Sequence, residues 1–169
     1  MTDINISIAL DLKNIVDLGN YSIDFKKKKR ISDQYVHVLA PKENLINDYG
    51  GVNAIISDVD IGDRVNWTVV NYSEYNSELS AVLINYTLVN PQGSVSTPEI
   101  ELGSFQRPYI IDSSNIEGSM SFNNVGLYYW TSNIKSFNVT EKYNGILKIY
   151  KGKVLLGYAY FEQSMTFEV

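Results

Sequence analysis

The chain reads as an all-β protein, an antiparallel β-sandwich of jelly-roll or immunoglobulin-like type with little or no helix. Three observations carry that expectation. Apolar residues recur at every second position through much of the sequence, the period of a half-buried strand. Gly, Asn and Pro punctuate the segments between them, as turns require. Only Leu12–Leu18 has the spacing of a helical face, and it is too short to be stable alone, so it fits a single turn or a bulged continuation of the first strand.

Taken in order, Ile4, Ile6, Ile8 and Leu10 alternate with Asn5, Ser7, Ala9 and Asp11, which predicts the opening strand. Gln34–Ala40 and Val52–Ile56 follow as short strands, separated by the turn-rich Asn47–Gly51. Val65, Trp67 and Val69 then form one packing face, and Val82, Ile84, Tyr86 and Leu88 another. Together they suggest a hairpin whose polar loop is Tyr72-Ser-Glu-Tyr-Asn-Ser-Glu78. Asn90-Pro-Gln-Gly93 closes that unit. Arg107–Ile111, Leu127–Thr131 and Ser136–Glu141 are the next strands, and Met165, Phe167 and Val169 share a face of the last. Asn144-Gly145 and Lys151-Gly152 read as tight turns. The sparsely charged ILKIYKGKVLLGYAYF, from Ile146 to Phe161, suits a surface strand that a second copy could share.

At 169 residues these elements make a single β-sandwich domain spanning 1–169. A net charge of −5 argues against nucleic acid as a partner. The one basic block, Lys26–Arg30, reads as a solvated loop. No run of about 18 apolar residues suggests membrane insertion, and no signal-like segment is visible. A cytoplasmic location is therefore expected, with release without a cleaved signal as the alternative. The absence of cysteine removes disulfides, thiol nucleophiles and thiolate metal sites.

Catalytic chemistry has little to work with. His37 is the only histidine and lies in a strand pattern, sharing a face with Tyr35 and Leu39, where a packed or half-exposed strand residue is the simpler role. Glu74 and Glu78 are the one carboxylate pair considered for a hydrolase, and no enzyme activity is expected. Asp58, Asp60 and Asp63 form an oxygen-rich stretch that calcium would accept, although the spacing departs from the EF-hand loop and aspartates before a strand also simply make turns. No other cofactor is expected. An exposed ring beside amide and carboxylate groups is a recipe for holding a sugar, so Tyr72, Glu74, Tyr75 and Asn76 are the candidate ligand-binding residues for a glycan. Trp67 and Trp130, on strand patterns, are assigned to the core.

Several segments, met in order along the chain, resemble the AidA/PixA inclusion-body family of bacterial proteins. INISIALDLKNIV resembles its opening strand; YVHVLAPKENLINDYGG and then GDRVNWTVVNYS resemble its next strand, Gly-containing loop and Gly-Asp-x-hydrophobic-x-Trp strand; LYYWTSNI resembles its late aromatic motif. The chain departs from the methionine-rich name-giving protein in having 3 methionines, and in carrying the KKKKR run. The resemblance implies a compact β-sandwich made in the cytoplasm and a non-catalytic role in ordered self-association as a dimer or larger assembly, including accumulation in inclusions. The competing reading is a lectin-like carbohydrate-binding module, calcium-assisted if the three aspartates converge.

Overall fold

A computed structural model describes residues 1–41, 44, 52–73 and 77–169. The strands are β1 (Asp3–Asp11), β2 (Lys29–Arg30), β3 (Val36–Leu39), β4 (Asn53–Ile56), β5 (Arg64–Tyr72), β6 (Leu79–Leu88), β7 (Glu99–Ile110), β8 (Met120–Asn133), β9 (Thr140–Lys151) and β10 (Val154–Phe167). One helix, α1 (Leu12–Leu18), follows β1, and 3-10 turns occupy Phe25–Lys27 and Asp33–Tyr35. One sheet has the order β3-β1-β5-β8-β7; the other runs β2-β10-β9-β6, with β4 also on β10.

The all-β sandwich is as expected, but the sheets are mixed rather than wholly antiparallel. β1 runs parallel to β5, and β10 runs parallel to β2 and to β4. The two inner faces enclose one core. Its centre is aromatic: Trp67, Tyr86, Tyr143 and Phe161 are fully buried, and the Tyr86 and Tyr143 rings stack 5.0 Å apart at 7°. The Tyr86 hydroxyl donates to Gln163 Oε1 at 2.6 Å, satisfying a polar group that burial would otherwise penalise.

Leu12–Leu18 is a short helix. The Asp11 carboxylate accepts from the Asn14 amide and caps its start. Leu12 and Ile15 are buried, whereas Leu18 is exposed, so tertiary packing of one face holds what propensity alone does not. The basic block is ordered: Lys29–Arg30 pairs with β10, Lys28 lies over the Phe25 ring, and Arg30 bonds Glu162 at 3.1 Å.

Five expectations need correction. β5 and β6 do not form a hairpin, because they lie in opposite sheets. The packing face of β6 also changes phase: Ala81 and Leu83 are buried in its first half, Tyr86 in its second, across an irregularity between Leu83 and Asn85. Asn144-Gly145 is not a turn but the middle of β9; a Cβ on Gly145 would stand 2.4 Å from the Phe161 ring, so the missing side chain makes room for the core. ILKIYKGKVLLGYAYF is not a shared surface strand. It is the β9–β10 hairpin at the centre of its sheet, sparsely charged because Leu147, Ile149, Ala159 and Phe161 line the core. Ser136–Glu141 is mostly loop, with only Thr140 and Glu141 inside β9. The Lys151-Gly152 turn does stand, with Gly152 at φ +58°. The expected Asn47–Gly51 turn lies outside the described residues.

Candidate functional site

The expected sites fall in two places. Tyr72 ends β5 with its side chain 58% exposed, while Glu74, Tyr75 and Asn76 lie outside the described residues. Around Tyr72 the ends of β1, β3 and β5 come level, because Asp11 is in register with Tyr72 and Ala9 with His37. The result is an open hollow of about 560 Å³ lined by Ala9, Asp11, Lys13, His37, Leu39, Tyr72 and Ser73. His37 is thus a half-buried strand residue on the outer face, alongside Tyr72 rather than packed in the core.

Asp58, Asp60 and Asp63 take separate tasks. Asp58 adopts a left-handed backbone, at φ 54°, in the bend after β4. Asp60 accepts the Asp63 amide through its carbonyl, closing the turn before β5. Asp63 is buried and turned inward. Its Oδ1 accepts the Thr2 amide at 2.6 Å, and its Oδ2 accepts the Asp60 amide at 3.0 Å. Those two amide bonds hold its carboxyl below the usual range. Among the described residues no three His, Asp or Glu side chains gather as a metal-binding group.

The aromatic clusters are structural devices. Trp67 and Trp130 are both core residues, paired across β5 and β8. Tyr128 and Trp130 face inward and reach the free side of β6, the edge strand of its sheet: the Leu83 amide donates to the Tyr128 hydroxyl at 2.7 Å, and Trp130 Nε1 donates to the Leu83 carbonyl at 3.1 Å. Tyr129 faces outward and donates to Glu101, which also bonds Arg64 at 3.2 Å. Tyr158 meets Phe25 edge-to-face at 5.3 Å.

A third place carries none of the candidate site residues expected from the sequence. β7 and β8 pair with each other over twelve positions, from Glu99 with Thr131 to Ile110 with Met120. β5 pairs with β8 only from Trp130 to Asn133. Beyond that point the β7–β8 hairpin projects from the sandwich as an arm. Of the 20 exposed large hydrophobic residues among those described, nine lie between Ile100 and Phe122. Leu102 is 80% exposed and Phe122 61%. At the base of the arm an apolar groove of about 530 Å³ runs between Val82 and Ile84 of β6 and Ile100, Leu102 and Tyr128. The tip is held by Asp112, whose carboxylate accepts from the Ser114 amide and hydroxyl, and by Ser119, which takes the Asp112 amide. The strand expected at Arg107–Ile111 is the far end of a longer one, which begins at Glu99 and runs through Gly103 and Pro108. Pro108 is tolerated because β7 is an edge.

A family model described as PixA, inclusion body protein, matches residues 2–167. Among solved structures, the chain is similar to the crystal structure of an inclusion body protein (PixA) from Burkholderia cenocepacia J2315. The TM-score is 0.74 at 14% identity, covering 98% of this chain and 95% of that one. At that identity the likeness speaks to the fold. No curated protein matches the sequence. The chain belongs to the PixA inclusion body protein family.

Proposed function

We propose that this member of the inclusion-body family is a non-catalytic protein that associates with itself, as a dimer or larger assembly, and accumulates in ordered inclusions inside the cell. The observation that carries the reading is the exposed apolar arm. The chain has 10023 Å² of accessible surface, whereas a compact monomer of 19.1 kDa is expected to show about 8,400 Å². An excess of about 1,600 Å² on one chain is more than the roughly 800 Å² that a standard interface takes from each partner. Large contiguous apolar surface on a protein in water marks a contact face. Light scattering coupled to size exclusion, over a rising concentration series, tests the proposal. A species of at least twice 19.1 kDa is expected; a strict monomer at high concentration overturns it.

A second reading, lectin-like binding of a glycan, has one observation in its favour. The exposed Tyr72 ring borders a hollow whose wall is apolar at Ala9 and Leu39 and whose rim carries Asp11, His37 and Ser73. A glycan array run with calcium and with chelator tests it. Binding that Tyr72→Ala abolishes would support it, and no binding to any sugar would sink it.

A further inference from the structure

We propose that the association runs through one face of the arm, which packs against the same face of a second copy about a two-fold axis. This rests on the self-association reading above and adds to it the surface and the symmetry. From Ile100 to Ile110 on β7 and from Met120 to Trp130 on β8, the even-numbered positions are paired across the hairpin and share one face. That face continues the inner face of the sheet, since Trp130 at its base is a core residue. The opposite sheet stops at β6, so beyond Leu83 nothing among the described residues covers it. It is the uncovered end of a sandwich layer.

The charge pattern identifies the occupant. None of the even-numbered positions is Asp, Glu, Lys or Arg, whereas Glu99, Glu101 and Arg107 all lie on the odd-numbered face. In a two-fold contact a charge near the axis meets its own copy, so the centre of a self-complementary patch is favoured when it is free of charge. A molecule of net charge −5 would otherwise repel its twin. A differently charged partner would call for opposite charges on this face, and it has none. A standard interface takes about 800 Å² from each partner, which the surface each copy carries beyond a compact monomer can supply. Two sheets stacked face to face would bring Leu102 and Phe122 of each copy into the layer between them, about 10 Å thick. Pairing through the β6 edge is opposed, because Tyr128, Trp130 and Asn71 already occupy backbone groups on its free side.

The test compares the two faces of the arm in the intact protein. Leu102→Asp and Phe122→Asp change exposed positions on the uncharged face; Phe105→Asp is the control on the other face, at 47% exposure. Each variant is first checked for a wild-type melting transition. The first two should raise the dissociation constant at least 100-fold while the control changes it less than 3-fold. Because the chain has no cysteine, Ser104→Cys, Gln106→Cys and Asn124→Cys report proximity cleanly, against Ser121→Cys and Asn123→Cys on the opposite face. Crosslinking by a short bismaleimide should give dimers from the first group only. A wild-type oligomer that survives both Asp substitutions, or that crosslinks through the second group instead, overturns this contact and leaves self-association standing. A wild-type protein that is monomeric throughout overturns both.

Discussion

Replacing Gly145 with Ala adds one methyl group at the centre of the core. The Cβ would lie 2.4 Å from Cζ and 2.5 Å from Cε1 of Phe161, and 3.1 Å from Cδ1 of Leu83. Carbon atoms in contact sit about 3.5–4.0 Å apart, so the ring would have to retreat by about 1 Å. Phe161 is fully buried, with Tyr86 at 6.5 Å between centroids, and has no open space to retreat into. Overpacking of this kind costs about 1–3 kcal/mol. Against it, Ala in a strand interior gains about 0.5–1 kcal/mol over Gly through chain entropy. The clash wins, for a net loss of about 1–2 kcal/mol, from the upper part of the overpacking range. In a domain of this size that lowers the melting temperature by about 2–8 °C. Calorimetry or urea unfolding measures it. Shrinking the ring should relieve the clash: in a double-mutant cycle, Phe161→Leu and Gly145→Ala together should cost about 1 kcal/mol less than the sum of the single changes. A Gly145→Ala protein as stable as wild type, or a strictly additive cycle, would refute the account of this glycine as space reserved for Phe161.

Three further outcomes are expected. Glu141 is fully buried and accepts the Gln92 amide and both the amide and hydroxyl of Ser94; Glu141→Ala should lower unfolding free energy by about 2–4 kcal/mol, because buried donors lose their acceptor, and urea titration measures this. Tyr128→Phe leaves the Leu83 amide without its partner; it should cost about 1–3 kcal/mol and speed hydrogen exchange at Leu83 above that of its strand neighbours. Asp63 has a folded-state pKa below its unfolded value, chiefly through the Thr2 amide and then that of Asp60. Its contribution to stability is therefore fully present above about pH 4 and is lost as the pH falls through the lower folded value. Asp63→Asn should be less stable than wild type at neutral pH, and the gap should close in melts carried into acid.

Much of the local structure was legible. The β1 pattern and the Lys151-Gly152 turn follow from period and turn chemistry, which act over a few residues, whereas Leu12–Leu18 has helical spacing but owes its helix to packing. What failed depended on partners far along the chain. Asn144-Gly145 has the letters of a turn, yet Phe161, a strand away, decides its role. The phase of β6 breaks at an irregularity that alternation alone does not reveal. The parallel pairing of β1 with β5 is a property of the whole topology. The site was less legible than the fold. Tyr72 does border a hollow, but Tyr128 and Trp130, aromatic and clustered in sequence, are committed to the backbone of β6. Nothing in the pattern marks Leu102 and Phe122 as exposed, because a sequence does not say where the opposite layer ends.

The seal that Tyr128 and Trp130 place along β6 sets an order of events for a newly made chain. β6 pairs with β9 on one side only, and on its other side the amide and carbonyl of Leu83 are taken by residues belonging to a hairpin in the opposite sheet. Until that hairpin docks, β6 presents open amides and carbonyls, a template for indiscriminate strand addition. Once it docks, the template closes in the same step that sets the uncharged face of the arm projecting from the sandwich. For the ordered self-association proposed above, sticking by a defined face has to replace sticking by an open edge. On that proposal one hairpin makes the exchange, its base covering part of the edge that would tangle and its length offering the face that can order.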